Sequence, residues 1–130
     1  MSRKPDLAKK WTCDGCGVSA GRIDGKPVPL PDAWVSSAEG RFCLVCRRER
    51  AADAALEAAP VGTRVDARAK LRRAALIEFE VSRTPDHADG TIARACRTSV
   101  MAVTQARHRM RLPDPPPQVK GTHAKRRQAA

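Results

Sequence analysis

Apolar positions recur at helical spacing in the second half of the chain and lose any regular period in the first. Over residues 66–83, Leu71, Ala74, Ile77 and Val81 fall on one face of a helix, widened by Ala75, Leu76 and Phe79. Asp66 stands where a cap is needed, and Thr84-Pro85 stops the helix because a residue before proline avoids the α region. Residues 47–59, RRERAADAALEAA, lack Gly and Pro and consist largely of helix formers. Ala51, Ala55, Leu56 and Ala58 give this second helix a weak apolar face, and Pro60 and Gly62 end it. Two shorter helices are predicted over residues 91–96, capped by Asp89, and over residues 100–111, capped by Ser99. Arg97-Thr98 form the turn between them and Leu112-Pro113 the stop. Residues 11–46 are punctuated by Gly21, Gly25, Pro27, Pro29 and Pro31, which predicts turns with at most short strands.

These patterns divide the chain into a disordered basic segment (residues 1–10), a cysteine-bearing module (11–46), a helix and linker (47–62), a three-helix module (63–112) and a tail (113–130). The tail opens with a stiff proline run and ends as a basic disordered stretch. The fold class is mainly α with a small N-terminal module. Composition sharpens the picture. Hydrophobic residues make up 42% of the chain but aromatics only 3%, so any core is thin and calls for support from a metal or an oligomer. The net charge is +11, of which residues 61–112 carry +6, whereas residues 13–46 carry −1. A field of that sign favours polyanions, and it lies on the helical module. Arg outnumbers Lys 18 to 7, in keeping with a GC-rich bacterial or phage gene. No signal peptide or membrane-length apolar run is seen, which points to the cytoplasm, where cysteines stay reduced and read as metal ligands before disulfides.

Cys13-Asp-Gly-Cys16 and Cys43-Leu-Val-Cys46 form two C-x2-C pairs with 26 residues between them. Two thiolates on a tight turn grip one side of a tetrahedral ion at about 2.3 Å, and a second such turn completes the shell. Trp11, Trp34, Val35 and Phe42 are candidates to pack around it. The segment, with its WxCxxCG opening and FCxxC close, resembles a zinc ribbon of short β hairpins. That resemblance implies one structural Zn²⁺ per chain held by Cys13, Cys16, Cys43 and Cys46. An iron–sulfur site, a redox dithiol and unliganded thiols are the competing readings of the same four cysteines. Cys96, the fifth, reads as a core residue.

Residues 89–112, DGTIARACRTSVMAVTQARHRMRL, resemble the bacterial and phage helix-turn-helix, through Ile92-Ala93, Cys96 to Ser99, Ala102-Val103, Arg107 and Met110. Arg97 occupies the turn position that Gly usually takes in that motif, where a positive φ costs a side chain about 1 kcal/mol. The resemblance implies that Cys96, Thr98, Val103, Ala106 and Met110 face inward. It also implies that Ser99, Val100, Met101, Thr104, Gln105 and His108 face base edges in a major groove. Gln105 can pair with adenine, and Thr104 or Met101 can touch a thymine methyl. Arg94, Arg97, Arg107, Arg109 and Arg111 are placed to hold phosphates. His87 and His123 read as solvent-exposed.

The sequence thus predicts a zinc-supported, sequence-specific binder of double-stranded DNA that regulates transcription, with a homodimer on a palindromic site as the default assembly. A second class has the same layout: an interaction protein, either antitoxin-like with a cognate protein partner or a phage factor docking on RNA polymerase. An enzyme is not predicted, because the chain shows no nucleophile–base set, no phosphate loop and no carboxylate pair.

Overall fold

The structure, a computed structural model, describes residues 6–117. The chain divides into two units, Met1–Glu57 and Ala58–Ala130.

In the first unit three antiparallel strand pairs frame the cysteines. They are β1 (Leu7–Ala8) with β4 (Val28–Pro29), β2 (Trp11–Thr12) with β3 (Ser19–Ala20), and β5 (Val35–Ser37) with β6 (Gly40–Phe42). Order therefore begins before Trp11, because Leu7 and Ala8 pair with Pro29 and Val28; the expectation of disorder over residues 6–10 is corrected, and residues 1–5 lie outside the described set. The β5–β6 turn closes through Gly40 at φ 132 and through the Ser37 hydroxyl, which accepts from the Glu39 N–H at 3.3 Å.

Helix α1 (Leu44–Glu57) starts three residues before the predicted position. The second cysteine pair is itself the first helical turn, with the Arg47 N–H donating to the Cys43 carbonyl at 2.9 Å. Ala52 is its one fully buried residue, and the predicted face through Ala51, Ala55 and Leu56 is only half-buried. Ala58 is exposed and lies past the helix.

The second unit holds α2 (Val65–Arg83), α3 (Asp89–Cys96) and α4 (Val100–Arg109), each packed on the other two. Ile77, Val81, Ile92, Ala93, Val103 and Ala106 form its core, with Cys96, Ala102, Met110 and Leu112 packed around it. Ala93, 3% exposed, lets the short helices approach closely. Two caps differ from prediction. The N-cap of α2 is Arg64, not Asp66, which sits in the first turn and suits the positive helix end there. The N-cap of α3 is Ala88, and Asp89 lies inside the helix with its carboxylate turned toward α4. The cap of α4 is the predicted one: the Ser99 hydroxyl accepts from the Ala102 N–H at 3.1 Å.

Arg97 closes α3 in the left-handed region, φ 55 and ψ 48, and the Thr98 N–H returns to the Ala93 carbonyl at 2.9 Å. A second left-handed residue, Arg111 at φ 57, turns the chain after α4, two residues earlier than the predicted end. Among the described residues no helix is long and apolar enough to cross a membrane. Most of the predicted tail lies beyond residue 117, outside the described residues.

Candidate functional sites

The four sulfurs of Cys13, Cys16, Cys43 and Cys46 lie within 4.8 Å of one another. Four sulfurs at about 2.3 Å from one centre would stand about 3.8 Å apart, and the Cys16 and Cys43 sulfurs are 3.7 Å apart. The chain builds this cluster through backbone contacts. Asp14, between the first two cysteines, exchanges two bonds with Arg41 of β6: its carboxylate accepts from the Arg41 N–H at 2.7 Å, and its own N–H donates to the Arg41 carbonyl at 2.8 Å. One turn is thereby fastened to the strand that leads into the other. Glycine is required at position 15, because a Cβ there would stand 2.7 Å from the Cys46 sulfur. Phe42 is buried beneath the cluster with Trp34 packed against it, and the Arg50 guanidinium stacks 4.0 Å above the Phe42 ring. Trp11 is buried but holds the β1–β4 pair, donating from Nε1 to the Val28 carbonyl at 2.9 Å. Val35, predicted to pack here, is 38% exposed.

Burial pushes the Cys13 thiol up, but N–H donation from Cys43, Cys16 and Gly15 outweighs it and brings the group down to about 6. The Gly15 and Cys43 N–H groups both reach the Cys13 sulfur at 3.3 Å. Cys46 is pushed up to about 12, first by its contact with Cys13 and then by burial. One ready thiolate with three soft sulfurs around it is a donor set suited to a tetrahedral, thiophilic metal. The residues fit such an ion.

In the second unit, the face of α4 turned away from the core carries Val100, Met101, Gln105 and His108, all exposed, with Val100 at 52% and Met101 at 68%. Arg94, Arg97, Ser99 and Arg111 are exposed near its two ends. Arg109 is exposed and stands 3.6 Å from Glu78 of α2.

One predicted contact residue is corrected. Arg107 is 1% exposed and cannot reach an outside phosphate. Its Nε donates to Asp89 Oδ1 at 2.9 Å, Nη1 to the carbonyls of Pro85 at 2.9 Å and Pro113 at 3.4 Å, and Nη2 to that of His87 at 3.1 Å. Thr104 faces the same way. Its hydroxyl is 2.7 Å from Asp89 Oδ2, to which it donates, and the residue is half-buried. Both donate to one acidic residue on α3, Asp89. Sequence reasoning missed Asp89 in this role, because an Asp at a helix start reads as a cap.

The second unit carries eleven Lys and Arg against six Asp and Glu over residues 58–117. Among the described residues Arg68, Lys70, Arg73, Arg94, Arg97 and Arg111 are exposed with no carboxylate in ion-pair range.

No family model, curated protein or solved structure matches the chain.

Proposed function

We propose that the chain is a DNA-binding regulator of the helix-turn-helix class, in which α3 and α4 form the motif and α2 supports them. The observation that carries this reading is the free face of α4. A helix entered through a left-handed turn, capped by Ser99 and packed on two others, leaves Val100, Met101, Gln105 and His108 uncovered, with unpaired arginines beside it. Apolar side chains and one amide on a cationic surface suit the edges of A·T pairs: Gln spans adenine N6 and N7, and an apolar side chain meets the thymine methyl. Val100 and Met101 are the exposed apolar side chains that could make the methyl contact.

In the first unit, Cys13, Cys16, Cys43 and Cys46 would hold one Zn²⁺. Four thiolates complete its shell, so the ion would supply folding support and leave no position for substrate. No enzymatic role is proposed.

The test is selection of duplexes from a random pool by the metal-loaded chain. An enriched A·T-containing motif is expected, and Gln105→Ala should weaken it by about 1–3 kcal/mol while leaving a mixed-sequence duplex unaffected. A pool that yields no enriched sequence would remove base reading by α4.

A further inference from the structure

A groove of about 230 Å³ runs between α2 and α4. Lys70, Arg73 and Ala74 line one wall, and Ala102, Gln105 and Arg109 line the other. The geometry follows from helical spacing. Positions 70, 73 and 74 continue along α2 the same stripe that buries Ile77 further on, and positions 102, 105 and 109 form one edge of α4. Ala74 and Ala102 are both small, which keeps the groove open. Its volume is several times the roughly 30 Å³ share of one water molecule.

The charge in this groove is not balanced from within. Lys70 and Arg73 are exposed and have no carboxylate in ion-pair range among the described residues. Glu78, the nearby acid, lies 3.6 Å from Arg109 at the other end. Gln105 belongs both to this wall and to the free face of α4. An anion seated here therefore lies alongside whatever Gln105 touches.

We infer that the groove between α2 and α4 seats a backbone phosphate of the duplex that α4 reads, with Lys70 and Arg73 as its cationic wall. The inference rests on the proposed DNA-binding function and adds a second shoulder to it. Arg94 and Arg97 flank α4 from the α3 side, and Lys70 and Arg73 flank it from the α2 side. A major groove is about 12 Å wide and bounded by a phosphate backbone on each edge, so a helix within it needs cations on both flanks. This arrangement also takes over the positioning work that a buried Arg107 cannot do.

The experiment measures Kd against salt concentration for the 130-residue chain, with a mixed-sequence duplex and with the pool-selected one. The variants are Lys70→Gln/Arg73→Gln and, as a control on the same helix but outside the groove, Arg68→Gln. All three positions are exposed, and circular dichroism verifies the fold. The double variant is expected to weaken both duplexes several-fold and to reduce the slope of log K against log salt by about 0.9, one phosphate contact. Its selected motif should be unchanged, and Arg68→Gln should leave the slope at its wild-type value. An unchanged slope in the double variant, or an equal change in Arg68→Gln, overturns the groove as a seat. Loss of sequence selection by the wild type would count against α4 as a reader, while the slope with the mixed-sequence duplex would still decide the groove.

Discussion

Arg107→Ala should unfold the helical unit while leaving the cysteine-bearing unit intact. The side chain is 1% exposed and satisfies one carboxylate and three carbonyls. Its removal strands the Asp89 carboxylate, whose side chain is 16% exposed, with only the Thr104 hydroxyl as partner. Breaking a buried ion pair from one side costs about 3–5 kcal/mol. The described part of this unit has about sixty residues, which at about 0.05–0.15 kcal/mol per residue gives it a total stability of roughly 3–9 kcal/mol. The loss is therefore comparable to the whole. Two optical probes separate the units. Trp11 and Trp34 are the only tryptophans and both lie in the first unit, so their fluorescence reports on it alone. Far-ultraviolet circular dichroism is dominated by α2, α3 and α4. In urea, Arg107→Ala should lower the dichroism midpoint sharply and leave the tryptophan midpoint in place. An Arg107→Met/Asp89→Leu pair should be milder than Arg107→Ala, because no charge is then stranded. An unfolding free energy from the dichroism transition within about 1 kcal/mol of wild type, together with a salt slope reduced by about 0.9, would refute the reasoning and return Arg107 to the surface.

Two further outcomes are expected. Arg97→Gly should stabilise the helical unit by up to about 1 kcal/mol, because φ 55 costs a side chain that glycine avoids. The same change should weaken DNA binding if Arg97 holds a phosphate, so a urea melt and a binding isotherm must move in opposite directions. Loading the metal-free chain with Zn²⁺ near neutral pH should release protons, one of them from Cys46, whose thiol is held up at about 12. Proton release is read in weakly buffered solution, and removal of the ion by a chelator should alter tryptophan fluorescence.

The four-cysteine cluster is legible in the sequence because the chemistry it suits fixes its spacing: two C-x2-C turns can be brought together in few ways. The helix ends at Ser99 and Thr84 are legible for a similar reason, since capping and proline act within a few residues. Arg97 shows the limit of that rule. A left-handed residue was foreseeable from the turn, although Arg is not the residue that prefers it. Long-range choices were not legible. Arg107 lies at the margin of the α4 face, where helical spacing alone permits either exposure or burial, and the decision falls to Asp89, 18 positions away. The β1–β4 pair is two residues deep, too short to leave a periodic signal, and it depends on a chain reversal of about twenty residues. Lys70 and Arg73 lie near the start of α2, and only the groove beside Gln105 gives them a neighbour on α4.

The beginning of α1 also has an electrostatic meaning. The helix begins at Leu44, directly after Cys43, and Cys46 is its third residue; its first turn contains no acidic side chain, and Arg47 closes that turn with Arg48 next to it. A helix start carries about half a positive charge, so two arginines beside it are unfavourable. A divalent ion within four thiolates carries a net charge of 2−. With the ion in place, this helix starts on an anion, and the macrodipole, the arginines and the cluster attract one another. Without it, the Cys13 thiolate is the one sulfur already brought into the charged form, and most of that attraction is lost. Metal occupancy should therefore register as helix content in α1.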